Sequence, residues 1–307
     1  VTWFGIASYE IGGAASTGLV VGDALYDADA ILRDAGLSRT IDGGLNLLID
    51  DWQDIGAKAL QALRCAAADI ASGKLSAVPQ TEYRLLLPYT PRRIFATASN
   101  YYEHAQEMGT ELAPRSESSP YMFMKAESSV VPTLSDVVIP ANAERVDWEV
   151  ELAVVIGKHG RHVTVDNAYD HVAGYTVIND VSARDLNRRT DYPFKHDWFR
   201  GKSFDTFGPL GPWFVPRECI AEPQNLRMRL AVNGEMMQDA TTAGMIFNIA
   251  EQIAYLSSIL TLKPGDLIAT GTPTGVGMGR GVYLKPGDVM TASIDGIGSI
   301  ENRVVAA

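Results

Sequence analysis

Asp147-Trp148-Glu149-Val150-Glu151-Leu152-Ala153-Val154-Val155-Ile156-Gly157 is the stretch whose reading decides the fold. Side chains alternate along a strand, so Asp147, Glu149 and Glu151 share one face while Trp148, Val150, Leu152, Val154 and Ile156 share the other. The acidic face turns apolar at Ala153 and Val155, which predicts a strand buried along most of its length and charged only where it begins. Like charges on one strand face repel, and the run contains no basic residue to relieve them. A solvated strand edge carries the same pattern, because acids prefer the surface. The other reading is the mouth of a metal site, since an all-oxygen donor set suits a hard ion such as Mg2+, Mn2+ or Ca2+.

A second β-rich run, residues 173–180, ends in Asn179-Asp180 and continues into Val181-Ser182-Ala183-Arg184-Asp185. If the two strands are neighbours, Asp180 adds a third carboxylate and leaves further coordination positions to water and substrate. That addition favours the metal site over the solvated edge. Working outward, short runs rich in Val, Ile and Thr alternate with Gly and Pro turns from residue 94 onward. Pro-Gly turns recur at Pro264-Gly265 and Pro286-Gly287, each feeding a strand. One helix stands out, with Thr241 and Thr242 as candidate caps and Ile246, Ile249, Ile253, Leu256 and Leu260 at helical spacing. Upstream, residues 3–8 and 18–26 read as strands, residues 27–35 and 54–71 as helices, and residues 72–81 as a polar connection. The fold class expected is therefore mainly β with α, an α+β chain divided into a small N-terminal α/β domain, residues 1–85, and a larger domain, residues 86–307.

With 307 residues and 46% hydrophobic content the chain can bury a substantial core. No apolar run approaches the roughly 20 residues that span a bilayer, and the first residues lack the basic and apolar pattern of a signal peptide, so membrane partners are not expected and cytoplasmic residence is. The net charge of −11 works against a nucleic-acid partner. Cys65 and Cys219 do not suggest a disulfide scaffold or a thiolate metal site, and each reads as a small buried hydrophobe.

Other residues carry chemistry. His104 and Glu107 lie three apart, side by side on a helical turn, where a carboxylate can orient an imidazole that deprotonates water. A solvated surface pair has the same spacing. Residues 109–119, rich in Ser, Pro and charge, read as a lid or as an ordinary mobile loop. Lys202 precedes an aromatic, Gly- and Pro-rich run and is a candidate for neutralising an oxyanion. The glycines of residues 271–279 lack the Lys-Ser/Thr of a phosphate loop, and no helix pattern follows them. A loop that lets backbone and the Thr272 hydroxyl approach a small ligand is the better reading.

Taken in order, several segments resemble the fumarylacetoacetate hydrolase family over about residues 92–304. They are Asn100-Tyr101 with His104, Glu107 and Gly109; Phe123 with Lys125; Glu149 with Glu151; Asn179-Asp180 with Ser182-Ala183-Arg184-Asp185; Lys202 with Phe204-Asp205, Phe207 and Pro209; and Thr270-Gly271-Thr272-Pro273 with Gly275-Val276-Gly277. The resemblance implies a rolled, mixed β-sheet domain behind a small leading domain, usually as a homodimer. It implies Mg2+ or Mn2+ on Glu149, Glu151 and Asp180, with Ca2+ as a further occupant. His104 with Glu107 would activate water and Lys202 would hold the developing oxyanion. Tyr101, Lys125, Asn187 and Thr272 would meet a small oxo-acid substrate. The implied reaction is hydrolysis of a C–C bond in a 1,3-dicarbonyl compound, an acylpyruvate or β-diketo acid, as in aromatic or sugar acid catabolism. Decarboxylation of oxaloacetate and isomerisation of oxo acids use the same site, and a non-enzymatic Ca2+ or small-acid binding module is a third reading. A two-carboxylate glycosidase is disfavoured, because acids on one strand face cannot flank a sugar bond from opposite sides. Three positions depart from common family residues: Ser99 stands where many members have Arg, Asn187 where many have Gln, and Ala126 where Pro is frequent. At Ser99 a bidentate carboxylate clamp is lost.

Overall fold

The computed structural model of the chain describes residues 2–37, 44–70 and 77–307. Strands β1 (Gly5–Ile11), β2 (Ala14–Val21) and β3 (Ala24–Asp27) precede helices α1 (Ala28–Asp34), α2 (Gly44–Asp50) and α3 (Ala57–Ile70). There follow β4 (Arg93–Ala98), α4 (Tyr102–Glu107), β5 (Tyr121–Lys125), β6 (Val150–Ile156), β7 (Val172–Asn179), α5 (Trp198–Lys202) and β8 (Gly208–Pro216). The chain continues through β9 (Arg227–Val232), β10 (Glu235–Thr241), α6 (Ile249–Ile259), β11 (Asp266–Ala269), α7 (Gly277–Arg280), β12 (Val289–Ile294) and β13 (Gly298–Ala306). Sheet dominates and helices decorate it.

Every residue of β6 and β7 is buried, which a strand achieves only at the centre of a sheet covered on both faces. The main sheet runs β3-β2-β1-β8-β7-β6-β11-β4-β5 among the described residues, antiparallel at β6 with β7 and β11, parallel at β11 with β4. On one face Val150, Leu152, Val154 and Ile156 meet Met228, Leu230, Met290 and Ala292 of a second sheet, ordered β10-β9-β12-β13. On the other face Ala153, Val155, Ala173 and Ile178 meet Phe4, Leu32, Leu48 and Leu63 from the first 85 residues. That leading segment joins the same sheet where β1 pairs with β8, Ile6 opposite Phe214. Small residues allow the close approach: a Cβ on Gly174 would lie 2.3 Å from the Val215 carbonyl oxygen and 2.5 Å from the Phe214 ring.

Several boundaries differ from the sequence reading. The run 18–26 is two strands, split at a turn where Gly22 takes φ 61°. Helix α2 was not anticipated, because seven residues are too few to set up a clear helical period; Leu45, Leu48 and Ile49 are buried there. Asp27 caps α1, its carboxylate accepting from the Asp29 amide at 2.9 Å. Of the segment 54–71, residues 57–70 are helical after a π-turn, Trp52–Gly56; residue 71 and residues 72–76 of the connection lie outside the described residues. The caps read at Thr241 and Thr242 belong to a separate 3-10 turn, and α6 begins later. Asn248 and Glu251 close it reciprocally, the Asn248 oxygen accepting from the Glu251 amide at 2.9 Å and the Glu251 carboxylate from the Asn248 amide at 2.8 Å. Cys65 is exposed rather than buried, and Cys219 is half-buried.

Candidate active site

The acidic run is not one continuous strand. A short strand, Val146–Asp147, pairs with Ser182–Ala183, and regular pairing resumes at Val150. Between them the Glu149 amide donates to the Asn179 side chain at 2.9 Å, and the Asp180 amide donates to the Glu149 carbonyl at 2.8 Å. This crossing brings the end of β7 against the start of β6. Carboxylate oxygens of Glu149, Glu151 and Asp180 thereby lie within 4.8 Å of one another, all three side chains buried. Asp147 does not join them: its carboxylate takes the Arg184 Nε at 2.7 Å and the Met278 amide at 2.8 Å.

The expectation of acids without basic neighbours is corrected by residues far along the chain. Arg184 bridges Asp147 and Glu149. Lys202 sits between Glu149 and Asp180, its Nζ 2.6 Å from an oxygen of each, and Lys125 Nζ is 2.8 Å from the other Asp180 oxygen. Both lysines are buried, so their ammonium groups are stable only beside carboxylates. Burial alone would raise Glu149, but Lys202 and Arg184 outweigh it and hold the carboxyl well below its ordinary range. Glu151 goes the opposite way: burial, then Asp180 and Glu149, push it far up, and no cationic side chain touches it among the described residues. Its Oε2 has only the Gly271 amide, at 2.8 Å. Four acids face three cations, and Glu151 is the acid without a cationic partner. A buried, all-oxygen set with one uncompensated member fits a hard divalent cation. Glu149, Glu151 and Asp180 would hold such an ion, and their oxygens would have to close in further around Mg2+ than around the larger Ca2+.

A cavity of about 430 Å3 opens onto this group, and His104, Glu149, Glu151, Asn187, Lys202 and Thr272 form part of its wall. His104 is buried on α4, with Nδ1 3.6 Å from Glu107, longer than a hydrogen bond. Glu107 stands behind it, accepting the Gly275 amide at 3.1 and 3.0 Å. Burial raises Glu107, but contacts with His104 and the Gly275 amide prevail and hold it below its ordinary value. Thr272 donates to the Val150 carbonyl at 3.0 Å and accepts from Gln238 at 2.9 Å. Tyr101 and Lys125 do not reach the cavity wall: Tyr101 lies in the core with its hydroxyl unpartnered, and Lys125 is sealed behind Asp180. The glycine-rich loop does form one helical turn, α7, contrary to its sequence pattern. The Met278 amide of that turn is taken by Asp147, leaving no phosphate cradle there.

Sequence reasoning missed two groups. Gln238, buried on β10, accepts the Val150 amide at 3.0 Å and donates to Thr272 and Pro273, so it clamps the residue between Glu149 and Glu151. Nothing local marks it, since its partners lie more than thirty residues away. Residues 187–197 also wall the cavity: Asn187, which the resemblance implied, is joined there by Arg188 and His196, which it did not. From the expected lid, Gly109 and Thr110 reach the cavity, and Arg115 is held by an ion pair with Glu251. The Asn187 Oδ1 is buried without a partner and packs on Gly201, where a Cβ would lie 1.6 Å from it. Gly201→Ala is therefore expected to displace Asn187 and to cost about 1–3 kcal/mol by overpacking. A thermal melt superimposable on the wild type would contradict this.

Residues 93–305 match the family model for the fumarylacetoacetate (FAA) hydrolase C-terminal domain. The rat mitochondrial oxaloacetate tautomerase Fahd2a is 40% identical over 270 residues, 87% of this chain and 82% of that protein. The solved fumarylacetoacetate hydrolase from psychrophilic Exiguobacterium antarcticum superposes with TM-score 0.81 at 33% identity, covering 99% of this chain and 100% of its own. Maleylpyruvate hydrolase from Sphingobium sp. SYK-6, solved in complex with manganese(II) and pyruvate, gives TM-score 0.74 at 30% identity over 98% and 99% of the two chains.

Proposed function

We propose a function from one premise: this chain belongs to the fumarylacetoacetate hydrolase family. On our reading it is a Mg2+- or Mn2+-dependent enzyme that binds the 2-oxo acid end of a small substrate at Glu149, Glu151 and Asp180 and cleaves a C–C bond of a 1,3-dicarbonyl compound with water. The observation that carries this is the cavity wall itself, where an imidazole backed by a carboxylate shares one space with Glu149 and Glu151, and Asp180 lies directly behind them. A manganese ion and pyruvate in the Sphingobium neighbour support the ion class and the oxo-acid end.

A bound divalent ion would supply Lewis acidity to the vicinal carboxylate and oxo oxygens of the substrate. His104 takes a proton from water, and Glu107 keeps the resulting imidazolium from being isolated in a buried wall. Lys202 places a fixed positive charge beside the oxygen on which negative charge develops. Thr272, anchored on both sides, gives the opposite wall a rigid hydroxyl.

Tautomerisation or decarboxylation of oxaloacetate is the second reading, and the rat relative's name favours the tautomerisation. These reactions need the same trio and no water activator. A panel of acylpyruvates and oxaloacetate, followed by NMR with and without Mn2+ after chelation, tests both. Metal-dependent acylpyruvate cleavage is expected; turnover of every substrate undiminished by chelation would overturn the metal reading. Homodimer assembly and cytoplasmic residence belong to this proposal too. Exposed Tyr121, Phe194 and Phe199 support assembly, and a monomer in sedimentation would oppose it. No helix among the described residues is long and apolar enough to cross a membrane, and the rat relative is mitochondrial by name. Recovery in an organelle fraction would overturn the cytoplasmic placement.

A further inference from the structure

Resting on the metal-dependent reading above, we propose that Arg188 determines specificity by receiving a second carboxylate at the far end of the substrate, which makes the preferred substrates 2-oxo dicarboxylic acids. Three strongly basic side chains line the cavity: Arg184, Lys202 and Arg188. Arg184 is held by Asp147 and Glu149, and Lys202 by Glu149 and Asp180. Arg188 has no carboxylate partner among the described residues, whereas its neighbour Arg189 has two, Asp191 at 2.7 Å and Asp197 at 3.3 Å.

The loop that carries Arg188 is tied at its base. Arg188 bridges His196 across the loop, the Arg189 amide donates to the Lys195 carbonyl at 3.0 Å, and the Asp197 amide donates to the Asn187 carbonyl at 2.9 Å. Asp197 also caps α5, accepting from the Arg200 amide at 3.1 Å. These ties hold Arg188, an exposed residue, next to Asn187 in the cavity wall, where the buried Asn187 oxygen also lacks a partner. His196 stands across the loop in the same wall. At Ser99, in that same cavity, the chain has no guanidinium to clamp a carboxylate. An anion entering a protein of net charge −11 meets repulsion overall, so a dianion needs a cation not already neutralised. Arg188 is the cavity's arginine that meets this condition, and a guanidinium binds a carboxylate bidentately.

The test uses matched, uncleavable 2-oxo acids that differ only in a terminal carboxylate or methyl: 2-oxoglutarate against 2-oxopentanoate, and 2-oxoadipate against 2-oxohexanoate. Each is titrated calorimetrically into the Mn2+-loaded full chain, with oxalate as a probe of the metal end alone. We expect the wild type to prefer at least one dicarboxylate over its partner by roughly ten- to hundredfold, the reach of one charge-assisted contact. Arg188→Gln is expected to bring that preference close to one, and Arg188→Lys to keep part of it. A wild type without preference, or an Arg188→Gln protein that retains it, overturns the proposal while oxalate binding leaves the metal reading standing. If neither oxalate nor any oxo acid binds the Mn2+-loaded wild type, the metal reading fails and this inference falls with it.

Discussion

Glu149→Gln is expected to lower metal-dependent turnover by about a thousandfold or more, since a Lewis acid supplies several kcal/mol to the developing charge and each 1.36 kcal/mol is about tenfold. The substitution preserves volume and removes one charge from a site whose members are coupled. Lys202 keeps Asp180 and Arg184 keeps Asp147, so neither cation is stranded. Glu151 meanwhile loses one of the two carboxylates that repel it. We therefore expect a folded protein with a weakened ion site, not a collapsed one. The readout separates these outcomes: Mn2+ should raise the wild-type melting temperature, by the equivalent of about 2.7 kcal/mol at a hundred times Kd. The variant should melt cooperatively and show little of that shift. Wild-type activity in Glu149→Gln after chelation and washing would remove the trio from the mechanism.

How much of this was legible in the sequence depended on distance along the chain. The alternation after Glu149 was readable because burial on both faces leaves an apolar run with few interpretations, and β6 follows it. The same alternation misled at Asp147, because period alone cannot reveal that pairing breaks at Trp148-Glu149, where the Trp148 Nε1 donates to the Gly275 carbonyl at 3.0 Å. Lys202 and Lys125 were named from the sequence, but their pairing with the acids was invisible for a related reason. Lys202 lies 53 residues from Glu149 and Lys125 lies 55 from Asp180, and only the sheet order brings them together. Gln238 is the extreme case, a neutral side chain on the second sheet that fixes the spacing of two acids on the first. The α6 cap was misplaced because Thr241, Thr242 and Asn248 are all good capping residues, and the reciprocal bond to Glu251 decides among them.

His104→Ala is expected to cut hydrolysis by about 10²–10⁴-fold, the usual contribution of a positioned base, while reducing tautomerisation of oxaloacetate much less. The difference follows from what each reaction asks of the wall. Cleavage needs a water oxygen made nucleophilic, and among the residues of the cavity His104 is the imidazole with a carboxylate, Glu107, 3.6 Å behind it. Loss of a proton next to an oxo group would draw on the Lewis acidity of an ion held at the trio and on any base that reaches C3, and His104→Ala leaves the trio in place. Oxalate affinity with Mn2+ should accordingly stay within about threefold of wild type, since the ion and the oxalate would be held at the trio, which the substitution leaves intact. Exchange of substrate C3 protons with D2O, followed by NMR, reads the shared step without reference to cleavage. Retained exchange with lost cleavage would assign His104 to water and make hydrolysis the reaction this wall is built for. Loss of both to the same extent would make His104 the base for the carbon acid, and the oxaloacetate reading would then be the better account of the same geometry. If neither changes, the imidazole is a buried wall residue and the nucleophilic water must be activated elsewhere.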